Sequence, residues 1–564
     1  MRIGIVGAGV AGLTTAKVLK QAGHDVVVFD RTPDVGGVWS ETRRYPGLST
    51  QSPKTQYALS DFPMPKELPE WPGGAQVQGY LASYARHFGL DAHLRLRTEV
   101  TRVRASGGGW IVDVREADVR DGDVRDGDVQ DGDVQDGDVQ DDDVESGGVQ
   151  SGGVREGGGN GAPSTERFDR LVVANGVFCE PALPAYPGLD EFTAAGGRLC
   201  AGNAFHDAEE ARDKHVLVVG YGKSACDVAV PVSATAASTD VVARQLLWKV
   251  PRRIGGFLNF KMLLLTRMGE ALFRYRRLRG VERFLHGPGN GLRRRMLNSI
   301  GSVSVRQYGL EALDLVPKGH MEHIIRGAIG LGTEGFFEAV AAGAITVRRD
   351  RTITRLFARG DRPFAELSDG TTLPADLVVC ATGFTQGVPF LAEDVRRQLL
   401  DEHGNFMLYR QILPLGVPGL YFNGYNSSLF SPLNAEMAAL WIAADLGGLL
   451  PLPGPAARRQ AVVDQLAFMD EATDRHHCRG TKIIPFSVHN ADEVLNDLDL
   501  NINPLVRAVH WLNPVNPAAY RRVTPRLMAR LGAPRAPGAP TSTDRAARVS
   551  ARPAPEDRTA ETAS

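Results

Sequence analysis

The chain has 564 residues, 43% of them hydrophobic and 23% charged, with 64 Lys and Arg against 66 Asp and Glu. This length predicts about two to four domains with several buried cores, and the composition excludes a collagen-like or wholly disordered chain. A formal charge of -2 gives no overall pull toward nucleic acid or anionic membrane, and no run of about 18 apolar residues is present to span a bilayer.

In chain order, Arg2 to Val6 is a short apolar run fit for a buried strand, Ala11 to Ala22 has helical periodicity, and Val26 to Asp30 is a second strand. The first thirteen residues resemble a secretory leader but have no polar cleavage region after them, and strand, glycine turn and helix is the better reading. The turn is GAGVAG, Gly7 to Gly12. Gly7 permits the tight turn, Gly9 lets backbone approach a pyrophosphate, and Gly12 lets the helix pack on the sheet. Asp30 follows Gly12 by 18 residues, where a carboxylate accepts from ribose hydroxyls.

From Asp118 to Gly157 a five-residue unit repeats eight times, beginning DVRDG and decaying toward GGVRE. One valine in five cannot offset the entropy of ordering it, so the segment reads as a disordered acidic loop. Its flanks, Trp110 to Val114 and Phe168 to Ala174, read as strands, and extra length between two strands costs little. The repeat holds 14 acids against 3 arginines, a charge of -11, which leaves +9 on the rest of the chain. The neutral total therefore conceals a basic folded portion.

His215 to Val219, Val241 to Arg244 and Leu377 to Ala381 are further strand-like runs, with a helix over Ser224 to Val230. A second turn, GYGKSA, spans Gly220 to Ala225, with Gly222 and Ser224 inside it and Ala225 as the permitted small residue at the third position. Arg244 replaces the acid after the second strand, followed by Lys249, Arg252 and Arg253. A guanidinium binds a 2′-phosphate where a carboxylate would repel it, so the second nucleotide is expected to be NADPH; pairing of Arg244 with a surface acid is the alternative. The expected fold class is α/β, with two Rossmann-like dinucleotide-binding domains.

Two such sites imply hydride transfer from NADPH to a flavin. No two of the five cysteines lie within 20 residues of each other, so a disulfide reductase is excluded, and oxygen is the remaining common acceptor. So few, scattered cysteines also predict a reducing cytoplasm. His320 with His323, and His476, His477 with Cys478, form no tetrahedral set, and no metal site is expected.

Several stretches resemble the class B flavoprotein monooxygenases, that is, the flavin-containing monooxygenases and the related Baeyer-Villiger enzymes. These are DVGGVW (Asp34 to Trp39), YPGLSTQSPKTQYALSDFP (Tyr45 to Pro63), Phe168 to Pro184, CATGF (Cys380 to Phe384) and Gly419 to Ala443, in family order over residues 1–450. The resemblance implies a flavin domain that is discontinuous and interrupted by the NADPH domain. Its expected parts are 1–200 and 346–450 for FAD, with the loop 117–161; 201–345 for NADPH, with a basic insertion 249–319; 451–532 as C-terminal helices; and 533–564 as a disordered tail. It also implies FAD and NADPH as cofactors, with Gly37, Trp39, Thr50, Thr382, Gly383 and Asn434 added to the glycines, Asp30 and Arg244 as cofactor-binding residues.

The family motif FxGxxxHxxx(Y/W) is incomplete: Gly202 and His206 are present, but Cys200 and Glu210 stand at its aromatic positions. Gln51 stands where the flavin-containing monooxygenases have Asn and the Baeyer-Villiger enzymes Asp, and it is the first catalytic candidate. An amide donates to a flavin hydroperoxide without adding negative charge. Arg244, in RQLLWKVPRR, is the second. The implied function is oxygenation at nitrogen or sulfur of a small organic substrate by O2; oxygen insertion beside a ketone and a non-catalytic flavin-binding protein are the alternatives. Leu264, Met268, Leu272, Tyr275 and Leu278 recur at helical spacing in an arginine-rich stretch, which predicts an amphipathic basic helix that packs over the NADPH domain and lines the substrate entry, or else lies on a membrane surface or meets an acidic partner.

Overall fold

The computed structural model describes residues 1–117, 163–326, 330–426, 428–473 and 487–532. The acidic repeat, the tail from 533, the cluster His476, His477 and Cys478, and the side chain of His323 lie outside the described residues.

Apolar runs without alternation need cover on both faces, and two parallel sheets flanked by helices provide it. Strand β1 (Arg2–Val6) turns at Gly7 to Gly9 into helix α1 (Val10–Gln21), and β2 (Asp25–Phe29) returns beside β1 with Ile3 opposite Val26. Leu94–Arg95 extends the sheet beyond β2, and Arg170–Val173 and then Leu420–Phe422 extend it beyond β1, all in parallel. The second sheet repeats the plan. Strand β3 (His215–Val219), helix α2 (Lys223–Val232) and strand β4 (Ser238–Ala243) are followed outward by Thr346–Arg349, with Leu377–Cys380 and Arg198–Ala201 on the other side.

In each unit a three-stranded antiparallel sheet leads directly into the parallel strand beside the first one. Thr98–Ser106, Gly109–Glu116 and Ser164–Phe168 precede Arg170–Val173, and Ile353–Arg359, Arg362–Leu367 and Thr372–Pro374 precede Leu377–Cys380. The repeat is inserted between two of these antiparallel strands, Val114 being opposite Ser164.

Two expectations are corrected. Thr346–Arg349 and Leu377–Cys380 hydrogen-bond into the second sheet, as does Arg198–Ala201, so the boundaries at 200 and 345 cut through that sheet. The single basic helix over Leu264 to Leu278 does not form. Lys261–Leu264 and Arg267–Ala271 are separate short helices, the second capped by the Thr266 hydroxyl, which accepts from the Gly269 N–H at 2.9 Å; residues 272–280 are not helical. Arg267 and Arg276 turn inward, while Arg274, Arg277 and Arg279 stay exposed. Arg267 donates to both oxygens of Asp492 at 2.6 and 2.8 Å, and Arg276 to Glu493 at 3.0 Å. Residues 264–278 therefore present no continuous helical face.

Lys249–Val250 pairs with Gly330–Leu331 and closes the insertion on the second unit. Helix α3 (Ser431–Leu446) is buried along most of its length and packs on α1 and on α4 (Ser487–Leu498). One apolar core is continuous from β1 and α1 through α3 and α4 to Leu265, Leu272 and Leu297 of the insertion. Among the described residues no helix is long and apolar enough to cross a membrane.

Candidate functional site

A cavity of about 550 Å³ opens at the C-terminal ends of β1 and β2, where an open parallel sheet receives its ligand. The expected Gly7, Gly9, Asp30, Gly37 and Trp39 line it, together with Arg43, Tyr57, Asn175 and Asn426, which sequence reasoning did not single out. Gly7 has φ +110°, and a Cβ there would lie 2.4 Å from the Ala174 carbonyl oxygen. Gly9 and Gly37 face each other: a Cβ on Gly37 would stand 3.1 Å from the Gly9 Cα. Gly12 is outside the cavity and serves packing, since its Cβ would fall 1.7 Å from the Gly7 oxygen.

Asp30 is held in place at the end of β2. One oxygen accepts from the Ala8 N–H at 2.6 Å, the other from the Thr32 N–H at 2.9 Å and hydroxyl at 2.7 Å. The Trp39 indole donates to the Tyr57 hydroxyl at 3.0 Å. Arg43 donates to the Phe178 carbonyl at 2.5 Å, and burial, then the neighbouring Arg31, pulls it below the usual guanidinium value. The Asn426 amide nitrogen and oxygen are both buried without a partner among the described residues. A cavity of this volume, lined by a glycine cradle and by an unsatisfied amide, fits a dinucleotide with a polar ring system.

Beneath the cavity the Ser-Asp-Phe-Pro stretch is fastened between α1 and α3. Lys17 pairs with Asp61, and Glu436 accepts from the Ser60 N–H at 2.8 Å and hydroxyl at 3.1 Å. Burial pushes the Glu436 carboxyl up to about 7, with the charge of Lys17 opposing.

The second turn repeats the first. Gly220 has φ +123°, and a Cβ would lie 2.6 Å from the Ala381 oxygen, whereas one on Gly222 would meet open space. Ala225 is buried against the sheet. The segment from Tyr45 to Ser52 bridges the second turn and the flank of α3. The Tyr45 hydroxyl hydrogen-bonds with Ser224 Oγ at 2.8 Å, a Cβ on Gly47 would lie 2.3 Å from the Asp227 oxygen, and Lys223, paired with Asp227, donates to Ser49 at 3.3 Å. Ser52 donates to the Leu429 carbonyl on the flank of α3. Between these anchors the Thr50 hydroxyl and the Gln51 amide oxygen are buried without partners among the described residues.

Arg244 follows β4 directly, is exposed, and has no hydrogen bond or ion pair among the described residues. Thr50 and Gln51 do not line the first cavity, and neither do Thr382, Gly383 and Asn434. Thr382 donates to the Ala182 carbonyl at 2.6 Å, tying the two crossings together beside Gly383 at φ +98°. Asn434 is buried, donates to Ser428 at 3.0 Å and accepts from Asn490 at 3.0 Å, bracing the turn that carries Asn426. In the incomplete motif, His206 Nδ1 meets the Arg44 carbonyl at 2.9 Å, and Glu210 pairs with Arg198 while accepting from the Asp207 N–H at 3.1 Å. An acid thus has a structural task where the motif has an aromatic ring.

The flavin-binding monooxygenase-like family matches residues 1–127 and 142–499. The probable flavin-containing monooxygenase 1 of Arabidopsis thaliana is 27% identical over 543 residues, covering 89% of this chain and 92% of its own. Among solved structures, the S-allyl-L-cysteine S-oxygenase of Allium sativum superposes with a TM-score of 0.55 at 18% identity, over 94% of this chain and 97% of its own. Cyclohexanone monooxygenase from Rhodococcus sp. Phi1 bound to NADP+ does so with a TM-score of 0.59 at 16% identity, over 88% and 97%.

Proposed function

The chain belongs to the flavin-binding monooxygenase-like family, and on that premise we propose that it is an NADPH- and oxygen-dependent FAD monooxygenase that oxygenates nitrogen or sulfur in a small organic substrate. The observation that carries this reading is the segment Tyr45 to Ser52, which joins the second nucleotide turn to the flank of α3 and holds the Thr50 hydroxyl and the Gln51 amide oxygen buried without a partner among the described residues. Bound FAD supplies the hydride-accepting and oxygen-activating chemistry.

The chain's own residues bind and orient. The Gly9–Gly37 approach leaves room for a pyrophosphate at the N-terminus of α1, Asp30 meets ribose hydroxyls, and the Asn426 amide serves the polar edge of the ring system. Gly220 to Ala225 receives the NADPH pyrophosphate, and the unpaired Arg244 its 2′-phosphate. Gln51 offers an amide where a carboxylate would add negative charge, which favours oxygen transfer to a soft heteroatom over attack on a carbonyl. A cytoplasmic setting is part of this proposal, because Cys179, Cys226 and Cys380 are buried thiols outside any disulfide among the described residues.

The test supplies purified protein with FAD, NADPH, oxygen and separate amine, thioether and ketone substrates, with products read by mass. N-oxide or S-oxide formation supports the reading. Ester formation from ketones alone overturns the heteroatom assignment, and no substrate-dependent oxygen uptake with any class overturns the activity.

A further inference from the structure

Arg252 stands beside the bridging segment and is incompletely neutralised. Its side chain is 17% exposed. One terminal nitrogen donates to Ser49 Oγ at 3.0 Å, the guanidinium carbon lies 5.2 Å from the centre of the Trp71 ring, and Nε is buried with no partner. Among the described residues the one carboxylate paired with it, Glu334 at 3.7 Å, is 89% exposed, and water screens such a pair to almost nothing.

Other acids nearby are committed elsewhere. Glu70 accepts from Asn259 at 2.6 Å, Lys261 at 2.9 Å and Arg253 at 3.3 Å. Asp227 pairs with Lys223 and accepts from the Thr333 hydroxyl at 2.6 Å. Lys223 adds a second cation, donating to the same Ser49 hydroxyl. A guanidinium withdrawn from water without a matching anion is costly, so an anion from outside the chain is the missing partner.

The position tells what that anion belongs to. Ser49 bridges to Gly73, and the Thr50 N–H donates to the Pro72 carbonyl at 3.0 Å, which holds Trp71, Arg252 and the bridging segment together. Gln51 is two residues from Ser49, a Cα separation of at most about 7 Å. The Trp71 indole nitrogen, the Thr50 hydroxyl and the Gln51 amide oxygen, on the stretches packed against the guanidinium, are likewise buried without a partner among the described residues.

We propose that Arg252, backed by Ser49 and Trp71, anchors a carboxylate of the substrate, so that the enzyme selects short amines or thioethers that carry an acid group. This rests on the proposed function, since it presumes that the reacting heteroatom is presented beside Gln51. A phosphate of NADPH is the other source of the same anionic chemistry, and the experiment separates the two.

The measurement compares a carboxylated thioether with its methyl ester, using the FAD-loaded protein, Arg252→Gln and Arg252→Lys. Rates of S-oxide formation are taken with calorimetric binding of each thioether. The parent is expected to favour the acid by tenfold or more in kcat/KM; Arg252→Gln abolishes that preference through a raised KM for the acid, and Arg252→Lys retains part of it. Equal handling of acid and ester by the parent, or an undiminished preference in Arg252→Gln, overturns the anchor alone. An equal rise in the NADPH concentration needed for flavin reduction without substrate overturns it in favour of the cofactor phosphate. Tight calorimetric binding of the acid, lost in Arg252→Gln, with no oxygenated product from either compound, upholds the anchor and overturns the oxygenation reading.

Discussion

The two nucleotide units run the same path with different clearances. Gly7 and Gly220 have nearly the same positive φ, and a Cβ on either would strike the carbonyl of the residue after the adjacent parallel strand, Ala174 or Ala381. The third position differs. Gly12 has no room for one more carbon, 1.7 Å from the Gly7 oxygen, whereas Ala225 already carries that carbon and is buried without conflict. Helix α1 therefore sits closer to its strand than α2 does. Glycine in such a turn is dictated by where the neighbouring carbonyl lies, and the third position by how deeply the helix is seated.

Gly12→Ala should break this comparison hardest. The clash is backbone against Cβ, so α1 must lift from β1 and carry Gly9 away from Gly37. The variant is expected to be purified, if soluble, with less than about a tenth of the parent's flavin, overpacking at a backbone contact costing several times the usual ~1–3 kcal/mol. Flavin absorbance per protein checks this; normal content would show that α1 yields at little cost.

The residue just past the second strand of each unit also differs. Asp30 is engaged with Ala8 and Thr32, while Arg244 has no partner among the described residues. An engaged acid suits a resident nucleotide and a free cation one that comes and goes. Arg244→Ala should raise the KM for NADPH about tenfold or more, a loss of about 1.4 kcal/mol, with a smaller change for NADH. Equal changes for both would remove Arg244 from the 2′-phosphate.

The strands and both turns were legible because parallel strands buried on two faces read as unbroken apolar runs, and because a glycine turn is a local feature. Partners far apart in the chain were not. Leu377 to Ala381 is plainly a strand, but only its register with Val216 to Val219 assigns it to the second sheet. Leu264, Leu272 and Tyr275 do enter the core, and that burial imitates a helical stripe, yet it arises from short helices and turns held by Asp492 and Glu493, more than 200 residues away. Gln51 was found through a motif, whereas Arg252 looked like one more phosphate contact until its lack of a committed acid was visible. Asn426 lay inside a quoted motif but gave no sign there that its amide would be left unpaired.

The units also differ in what backs them, because the first shares its core with the insertion and α4. His489 on α4 lies between Glu270 and Glu282 of the insertion, with the Tyr275 ring 4.3 Å away. Burial disfavours its charge, yet the two carboxylates raise it to about 9. The folded value exceeds the unfolded one, so the stabilisation is complete below about 6.5 and is lost as pH rises through about 9. Thermal scans from pH 6.5 to 9.5 should show a drop of a few degrees that His489→Gln lacks. A parallel decline in both proteins would mean that this latch does not titrate there.

The smallest effect is the reverse substitution in the second unit. Ala225→Gly removes the carbon that Gly12 cannot accept, so it loses about 1 kcal/mol of helix propensity and about 0.8 kcal/mol of buried methyl. No backbone has to move. The expected outcome is a midpoint lowered by a few degrees with flavin content at the parental level. Depletion of flavin by Ala225→Gly as by Gly12→Ala would show that the two turns are not separate sites and that the seating of α2 controls the first cavity through the Tyr45–Ser224 contact.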